Sequence, residues 1–316
     1  MKRILVIGAL GQIGSELTAA FNRRYGTANV VAADVNEDTR RLFPDNVFER
    51  LDVTDAETLE HIVLRHHIDT IVNLAAMLSA TGEKNPDRAW HININGLLNV
   101  IRLAIKHRLD RVMTPSSIAV FGPQSVLYDT PQETVLTPNT MYGVTKVVGE
   151  LLGDYYFKKA GLDFRGIRYP GIISNRTMPG GGTTDYAVEI FYAAVRDKHY
   201  TCFLSNESCL PMMYMPDCIR ATIALLEADR SRLRHRGNYN VGAMSFTPEI
   251  LTREIQKHIP DFTIDYQPDF RREIARYWPA SVDDSAARSD WGWQPEWTLE
   301  TMVEDMLRAV RAKMPA

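Results

Sequence analysis

A short apolar strand runs directly into three regularly spaced glycines near the beginning of the sequence. Residues 4–7 are apolar, Gly8, Gly11 and Gly14 follow, and an amphipathic helix pattern covers residues 13–24. The first glycine permits a tight turn, the second lets backbone amides approach a pyrophosphate, and the third lets the helix pack closely on the strand. The amides and the positive dipole end of the helix N-terminus favour an anion there. The pattern predicts a dinucleotide-binding βα unit, and the alternative is that the glycines only permit close packing.

Strand and helix signals keep alternating through the first half of the chain. After the first βα unit, the pattern predicts strands at 30–33, 46–51, 70–74, 111–114 and 163–168 and helices over 55–66, 87–107 and 141–160. Apolar strands that alternate with helices are typical of a parallel sheet covered on both faces. We therefore predict an α/β fold, a Rossmann doubly wound parallel sheet with a smaller C-terminal substrate lobe. The expected division is a cofactor-binding domain over 1–170, to which part of 215–245 returns, and a mainly substrate-binding lobe over 171–316.

Composition narrows the classes of function. The 316 residues carry a formal charge of -3 with acidic and basic residues interspersed, so a nucleic-acid partner is not expected. Because no run of about 18 apolar residues occurs, we expect no membrane-spanning helix. The sequence starts as a strand and shows no signal peptide, which favours a cytoplasmic protein. Cys202, Cys209 and Cys218 lack metal-ligand spacing and are expected to be reduced thiols, with no bound metal.

An aspartate stands at the end of the second predicted strand, about 20 residues past the glycines. A carboxylate at that point accepts both ribose hydroxyls and repels a 2′-phosphate, so Asp34 favours NAD over NADP. The alternative for Asp34 is a helix N-cap. Asp52 and Val53 end the third strand and are expected to lie at the adenine. An ordinary cap of the next helix, by Asp52 or Thr54, is a close alternative.

A tyrosine and a lysine lie four residues apart in the helix predicted over 141–160. This spacing places Tyr142 and Lys146 on one helix face. A tyrosine with its usual pKa near 10 is a poor base at neutral pH, but a nearby ammonium stabilises the phenolate. Tyr142 can then take the proton of an alcohol as hydride leaves the same carbon. Ser117, 25 positions earlier, can hydrogen-bond the substrate oxygen. The alternative is a solvated helix face with no role in catalysis.

Several motifs together resemble the extended short-chain dehydrogenase/reductase family. In that family's order and spacing, the chain contains GxxGxxG, Asp34, Asn73-Leu74-Ala75-Ala76, Asn93-Ile94-Asn95-Gly96, Ser116 to Gly122 and Tyr142-Gly143-Val144-Thr145-Lys146. The resemblance covers the first 170 residues and implies a Ser-Tyr-Lys mechanism, with Ser117 as the serine and Ser116 as the fallback. It also implies that Asn93 fixes the site geometry through its backbone, that Tyr169, Pro170 and Ile172 line the nicotinamide side, and that the chain forms a homodimer. The full set expected to bind NAD is Gly8, Gly11, Gln12, Ile13, Gly14, Asp34, Asp52, Val53, Leu74, Ala75, Ala76, Asn93, Tyr142, Lys146, Tyr169 and Ile172.

A second resemblance, on shorter motifs, concerns the substrate. Sugar-nucleotide members of the family carry an arginine in a segment that here reads Leu210 to Asp217 and contains none. A pyrophosphate without a basic partner binds badly, so a small, non-phosphorylated alcohol is preferred. The segments 79–86, 180–186 and 277–279 are similar to the L-threonine 3-dehydrogenase branch, which implies NAD-dependent oxidation of the threonine 3-hydroxyl to 2-amino-3-oxobutanoate. The residues expected to bind the amino-acid substrate are Ser79, Ser117, Tyr142, Thr183, Thr184, Asp185 and Trp278.

Other readings of these features stay open at this point. A sugar-nucleotide epimerase or dehydratase would recycle its NAD, and the missing arginine argues against it. A non-catalytic NAD-sensing module would not need the set of Ser117, Tyr142 and Lys146. The turn before Asp185 can also be a capped helix without a ligand, and Trp278 can serve only to pack the lobe.

Overall fold

The computed structural model describes residues 1–36, 43–178 and 180–314. Pro179, which the sequence places in the glycine-rich turn before Asp185, lies outside the described residues. The strands of the first half are β1 (Ile4–Ile7), β2 (Val30–Asp34), β3 (Val47–Arg50), β4 (Thr70–Asn73), β5 (Arg111–Met113), β6 (Ser116–Ser117), β7 (Phe164–Arg165), β8 (Ile167–Tyr169) and β9 (Gly171–Ile173). Its helices are α1 (Gln12–Tyr25), α2 (Ala56–Arg65), α3 (Ser79–Lys84), α4 (Pro86–Trp90), α5 (Gly96–Lys106) and α6 (Met141–Ala160).

Six of these strands form one parallel sheet, in the order β3-β2-β1-β4-β5-β7. The chain builds outward from β1 through β2 to β3 and then returns to the other side of β1 with β4. In open α/β sheets, ligands bind at the carboxyl ends of the strands where the strand order reverses in this way. The doubly wound parallel sheet is therefore confirmed, and its switch point lies between the ends of β1 and β4, at Ile7 and Asn73.

Local sequence explains where the helices of this half begin and end. α6 follows Thr140, whose hydroxyl accepts a hydrogen bond from the Gly143 amide at 3.0 Å, and it ends at Gly161, which has a φ of 67°. α2 follows Asp55, whose carboxylate accepts the Thr58 amide, so the expected cap by Thr54 or Asp52 is wrong. The helix predicted over 87–107 is present as α4 and α5, which a π-helical stretch joins into one rod.

The second half is a lobe of short strands and longer helices. Its strands are β10 (His199–Cys202), β11 (Leu210–Tyr214), β12 (Tyr239–Asn240), β13 (Met244–Phe246) and β14 (Thr263–Tyr266). Its helices are α7 (Tyr186–Arg196), α8 (Met215–Glu227), α9 (Pro248–Gln256), α10 (Phe270–Ala275), α11 (Ser285–Trp291) and α12 (Leu299–Lys313). Two small sheets connect the halves, since β11 lies between β9 and β13, and β8 lies between β6 and β12.

Part of the second half packs on the first domain. β12 pairs with β8, and α8 packs against α1, where Cys218 and Ala221 share an apolar cluster with Leu17 and Phe21. Helices α7, α9 and α12 contribute to a separate apolar cluster in the lobe. The return of part of residues 215–245 to the first domain and the division at residue 170 both stay predictions.

Two features concern the described residues as a whole. None of their helices combines the length and apolar character that crossing a membrane requires, and none of their His, Cys, Asp and Glu side chains gather in a group that could hold a metal ion. All three cysteines are unpaired thiols, and Cys202 and Cys218 are buried.

Candidate active site

Two adjoining cavities open at the switch point of the large sheet. One has a volume of about 250 Å³ and the other of about 420 Å³, and both are lined by the glycine turn after β1 and the segment after β4. The first cavity is also lined by the sequence-predicted Ser79, Ser117, Tyr142, Lys146, Tyr169, Ile172, Thr183, Thr184, Asp185 and Trp278. The second contains Asp34, Asp52, Val53 and Ala75 in its wall. The structure thus brings all the predicted site residues except Asn93 to one continuous cleft.

The glycine turn between β1 and α1 requires its glycines for two different reasons. Gly8 has a φ of +79°, in the left-handed region that side chains disfavour. At Gly14, a Cβ would lie 2.1 Å from the carbonyl oxygen of Gly8, so any side chain would force α1 away from the sheet. Gln12 lies between them and lines the smaller cavity, and its buried Nε2 has no hydrogen-bond partner among the described residues. This close packing leaves the N-terminus of α1 facing the cleft.

Asp34 is held at the end of β2 by the turn that it faces. Its Oδ2 accepts the Leu10 amide at 3.0 Å and its Oδ1 accepts the Asn36 amide at 3.1 Å. A carboxylate has about four acceptor sites, so both oxygens keep capacity for further donors. Because Asp34 also lines the larger cavity, its free acceptor sites are available to hydroxyl groups bound there.

Asp52 and Asn93 are both expected at the cofactor, but only Asp52 lines the cleft. Asp52 lines the larger cavity, and its Oδ1 accepts both the amide and the hydroxyl of Thr54, which forms a tight turn. Asn93 lies behind the cleft within the π-helical stretch. Its side chain bonds the amide and carbonyl of Met77 and donates to the hydroxyl of Thr145 at 3.0 Å. Asn93 therefore fixes the segment after β4 and the helix that carries Lys146, and it does so through its side chain.

Tyr142 and Lys146 lie side by side on α6, as the spacing predicts. The Lys146 Nζ atom lies 5.3 Å from the centre of the Tyr142 ring and donates to the carbonyl of Pro115 at 2.7 Å. Ser117 ends β6 beside them and accepts the Ala119 amide at 3.2 Å. Ser116, the fallback serine, lines the same cavity, but its hydroxyl donates to Glu150. The Ser117 hydroxyl instead forms a hydrogen bond with Tyr142, so these two side chains meet at the same point of the cavity.

Burial changes the acidity of both side chains on α6. Burial raises the pKa of Tyr142 to about 12, and the neighbouring Ser117 hydroxyl opposes that rise. Burial lowers the pKa of Lys146 to about 8, and the charge of Glu150 opposes that fall. Burial thus favours the neutral form of both groups, and a positive charge on Lys146 would favour the phenolate that Tyr142 needs to act as a base.

The far end of the smaller cavity is rich in hydroxyl groups. The hydroxyls of Ser79 and Thr183 lie 3.1 Å apart, and both residues are buried. Asp185 closes the separate turn before α7 by accepting the Gly181 and Gly182 amides at 2.9 and 2.7 Å. Burial raises the pKa of Asp185 to about 6, and these amide hydrogen bonds oppose the rise.

Trp278 lines the same cavity from the C-terminal lobe. Its ring is buried, and its Nε1 has no hydrogen-bond partner in the parts of the chain that the structure describes. A buried donor without a partner is costly, so a ligand that offers an acceptor gains from this position.

Sequence reasoning missed one element of this site. The sequence marks residues 79–86 only as a substrate segment, but Ser79–Lys84 forms the helix α3. The Glu83 carboxylate at the end of α3 accepts the Met141 amide at 2.6 Å, immediately before Tyr142. The helix that carries Ser79 and the helix that carries Tyr142 are therefore joined directly. No local signal marks this contact, because it joins positions 58 residues apart.

Comparisons with known proteins agree with this geometry. The model of the NAD dependent epimerase/dehydratase family matches residues 4–242. A Staphylococcus aureus (strain USA300) protein described as an uncharacterized epimerase/dehydratase is 47% identical over 99% of this chain and 98% of its own length. Among solved structures, the GalE-like L-threonine dehydrogenase from Cupriavidus necator in its holo form is 51% identical, covers 97% of this chain and 99% of its own, and superposes with a TM-score of 0.95.

A monomeric L-threonine 3-dehydrogenase from a metagenome, in its apo form, is 47% identical with a TM-score of 0.95, over 98% of this chain and 99% of its own. These matches span nearly the whole chain, and they confirm the resemblance to the extended short-chain dehydrogenase/reductase family. The chain belongs to the NAD dependent epimerase/dehydratase family.

Proposed function

We propose that the chain oxidises the 3-hydroxyl of L-threonine to 2-amino-3-oxobutanoate, with NAD as the hydride acceptor. One observation carries the proposal: Ser117, Tyr142 and Lys146 line the same cavity as the hydroxyl-rich end formed by Ser79 and Thr183. An alcohol bound between these two groups would have its reacting carbon beside the base and its polar substituents among hydroxyls and amides. The names of the related structures, L-threonine dehydrogenases at about half identity, support the same substrate.

The residues at the switch point fit NAD. The glycines let α1 approach the turn after β1 closely, because a Cβ at Gly14 would collide with the carbonyl oxygen of Gly8. The N-terminus of α1 is then open to a pyrophosphate. The free acceptor sites of Asp34 fit the two ribose hydroxyls and oppose a 2′-phosphate. NAD, when bound, accepts the hydride. Tyr169 and Ile172 would lie along its nicotinamide side, and Lys146 would reach its ribose.

Side chains of the protein would then bind the substrate and remove its hydroxyl proton. Ser117 donates a hydrogen bond to the substrate oxygen and holds it in place. Tyr142 removes the hydroxyl proton, and the ammonium of Lys146 stabilises the phenolate that does so. At the other end, the amides at the start of α7 and the Thr184 hydroxyl would receive the substrate carboxylate, Ser79 would add a donor, and Asp185 would pair with the ammonium.

A sugar-nucleotide substrate lacks comparable support. The position at which related sugar-nucleotide enzymes carry an arginine for the pyrophosphate falls within β11. Here Leu210–Tyr214 contains no arginine, and its residues are apolar or aromatic and buried. The remaining aspartate, Asp217, accepts the amides of Glu296 and Trp297 and so has a structural role. Because the S. aureus relative is described as an epimerase/dehydratase, a test must distinguish threonine oxidation from conversion of a sugar nucleotide.

The decisive test is the absorbance of NADH near 340 nm in a mixture of purified protein, L-threonine and NAD. We expect steady NADH production with threonine and none with UDP-glucose or UDP-galactose. If the UDP-sugars raise the melting temperature and are converted without net NADH, while threonine has no effect, the substrate proposal fails although the NAD site stands.

We further propose that the enzyme acts in threonine catabolism in the cytoplasm and forms a homodimer. Its three unpaired cysteines suit a reducing compartment. The apolar side chains of Trp90 on α4 and Leu151 and Tyr155 on α6 are 40%, 64% and 52% exposed, which suits a helix-to-helix interface. The monomeric relative makes a monomer the competing result.

A further inference from the structure

A buried carboxylate lies on the same face of α6 as Tyr142 and Lys146, one turn further along. Glu150 is only 7% exposed. Its two oxygens accept hydrogen bonds from Nε and Nη2 of Arg168, each at 2.8 Å, and from the hydroxyl of Ser116. No step of the proposed reaction uses Glu150, yet burying a charged pair is costly unless its geometry is fully satisfied.

The partners of Glu150 belong to the strands that present the active site. Ser116 precedes Ser117 on β6, and Arg168 precedes Tyr169 on β8. The two strands pair in register, so Ser116 lies opposite Arg168 and Ser117 lies opposite Tyr169. One carboxylate therefore connects the helix of the base with both strands that line the nicotinamide side.

Glu150 and Lys146 also line one small cavity. Its volume is about 20 Å³, and Asn73 and Thr114 contribute to the same wall. Within the described chain, Lys146 Nζ forms no ion pair, and its hydrogen bond goes to the Pro115 carbonyl. The carboxylate thus acts on the ammonium through space, and its charge raises the pKa of Lys146 against the effect of burial.

The remaining charged groups near Lys146 do not supply this effect. The titratable groups that line its two cavities are Tyr142, Tyr169 and Asp185 on one side and Glu150 on the other. Arg168 lies behind Glu150, and its Nη1 is occupied by the Gln132 carbonyl and the Asn240 side chain. Glu150 is the anion on the β-strand side of Lys146, and it is held there by Nε and Nη2 of Arg168.

We propose that Glu150 is a positioning residue of the active site: it ties α6 to β6 and β8 and keeps Lys146 in its ammonium form beside Tyr142. The inference rests on the proposed dehydrogenase function for its effect on turnover, but its effect on Lys146 can be measured without any turnover.

The first test is the pH dependence of Lys146 labelling by acetic anhydride, read by mass spectrometry of the tryptic peptides. In Glu150→Gln the midpoint for Lys146 should fall by about one pH unit or more, because the carboxylate is lost and the Arg168 charge remains. In Glu150→Gln combined with Arg168→Met it should lie between the variant and the wild type. An unchanged midpoint in either variant overturns the proposal, and the double variant serves if the single one does not fold.

The matched control is another buried carboxylate held by an arginine. Asp163 accepts Nε and Nη2 of Arg165 at 3.0 and 2.8 Å, and neither residue lines the cleft. Asp163→Asn should lower the melting temperature but leave the Lys146 midpoint unchanged. An equal shift of that midpoint in Asp163→Asn would show that general destabilisation, and not position, explains the effect.

The second test uses turnover. In Glu150→Gln, kcat with threonine should stop increasing with pH about one unit lower than in the wild type, with KM for threonine little changed. A wild type that is inactive with threonine overturns the proposed function, while the labelling result still decides the role of Glu150. An active wild type with identical pH profiles in both proteins overturns the positioning role alone.

Discussion

The ammonium nitrogen of Lys146 lies 5.3 Å from the centre of the Tyr142 ring, on the same side of the cleft as Ser117. This distance is short enough for the cation to stabilise a phenolate without a direct hydrogen bond to it. The nitrogen is anchored by the Pro115 carbonyl at 2.7 Å, so its position does not depend on the ionisation of the tyrosine. The pair is therefore arranged before any ligand binds.

Tyr142→Phe should lower kcat with threonine by roughly 100-fold or more and leave the Kd for NAD nearly unchanged, since only proton transfer is lost. Because burial raises the pKa of Tyr142 to about 12 and lowers the pKa of Lys146 to about 8, wild-type kcat should increase with pH as the phenolate forms and stop increasing near pH 8, where Lys146 loses its charge. Lys146→Ala should impair both NAD binding and turnover. Steady-state kinetics and NAD titration check these results. Tyr155→Phe, on the exposed side of the same helix, is the control, and near-normal kcat in Tyr142→Phe would place the base elsewhere.

Cofactor choice should depend on the charge of Asp34. The wild type should prefer NAD to NADP in kcat/KM, because the carboxylate repels a 2′-phosphate. Asp34→Ala should narrow that preference by roughly 5- to 150-fold, the equivalent of about 1–3 kcal/mol. Asp34→Asn is the matched variant, because it keeps an acceptor for the Leu10 amide and removes only the charge. Equal kcat/KM for the two cofactors in the wild type contradicts this role.

Substrate recognition should depend on the hydroxyl-rich end of the cavity. Ser79→Ala and Thr184→Ala should each raise KM for threonine, by up to roughly 150-fold, because a buried partner is left unpaired. The Kd for NAD should not change. A simple secondary alcohol, which lacks the carboxylate, should be a poor substrate, and serine should lose less than that alcohol. Comparable kcat/KM for all three substrates would show that this end of the cavity does not bind the amino acid.

Asp185 should make stability depend on pH in a defined direction. Its folded-state pKa of about 6 lies above its usual value, so its favourable contribution is present below about pH 4 and is lost as the pH rises through 6. Between pH 4 and 7, the free energy of unfolding of the wild type should therefore fall relative to Asp185→Asn, by on the order of 2 kcal/mol. Urea denaturation at both pH values measures the difference. A difference that is constant with pH would mean that Asp185 titrates normally.

The oligomeric state should depend on the exposed apolar face of α6. Sedimentation velocity should show a dimer for the wild type and a monomer for Leu151→Glu combined with Tyr155→Glu, because two charges cannot be buried there without partners. Leu64→Glu, at a leucine of α2 that is 50% exposed, is the control and should stay dimeric. A monomeric wild type, like the metagenome relative, would remove the dimer from the proposal.

The sequence predicted the elements whose signals are local. The glycine turn, the strands up to residue 114 and the bounds of α6 follow from periodicity and from caps such as Thr140 and Gly161. α3 was missed because six residues that include a glycine have weak helix propensity, and it is stabilised instead by packing against α4 and α6. The cap of α2 was misplaced because several neighbouring polar residues qualify on sequence alone.

The contacts that were not predicted join distant parts of the chain. The bonds from Glu83 to Met141 and from Glu150 to Arg168 depend on how helices and strands meet after folding. Glu150 was not singled out from the sequence, although its spacing of four residues from Lys146 puts it on the same helix face, and only the structure identifies its partners. The side-chain bonds of Asn93 are of the same kind, because a π-helical stretch cannot be recognised from its residue pattern.

The close approach of α1 to the sheet at Gly14 has a consequence for how this chain can evolve. A side chain there would collide with the backbone of Gly8, and backbone cannot rotate away as a side chain can. Asp34, by contrast, touches the turn only through a side chain that other residues can replace. With NAD bound as proposed, single substitutions at the end of β2 could change which cofactor a descendant of this sequence prefers, whereas Gly14 could not change without moving α1 away from the sheet.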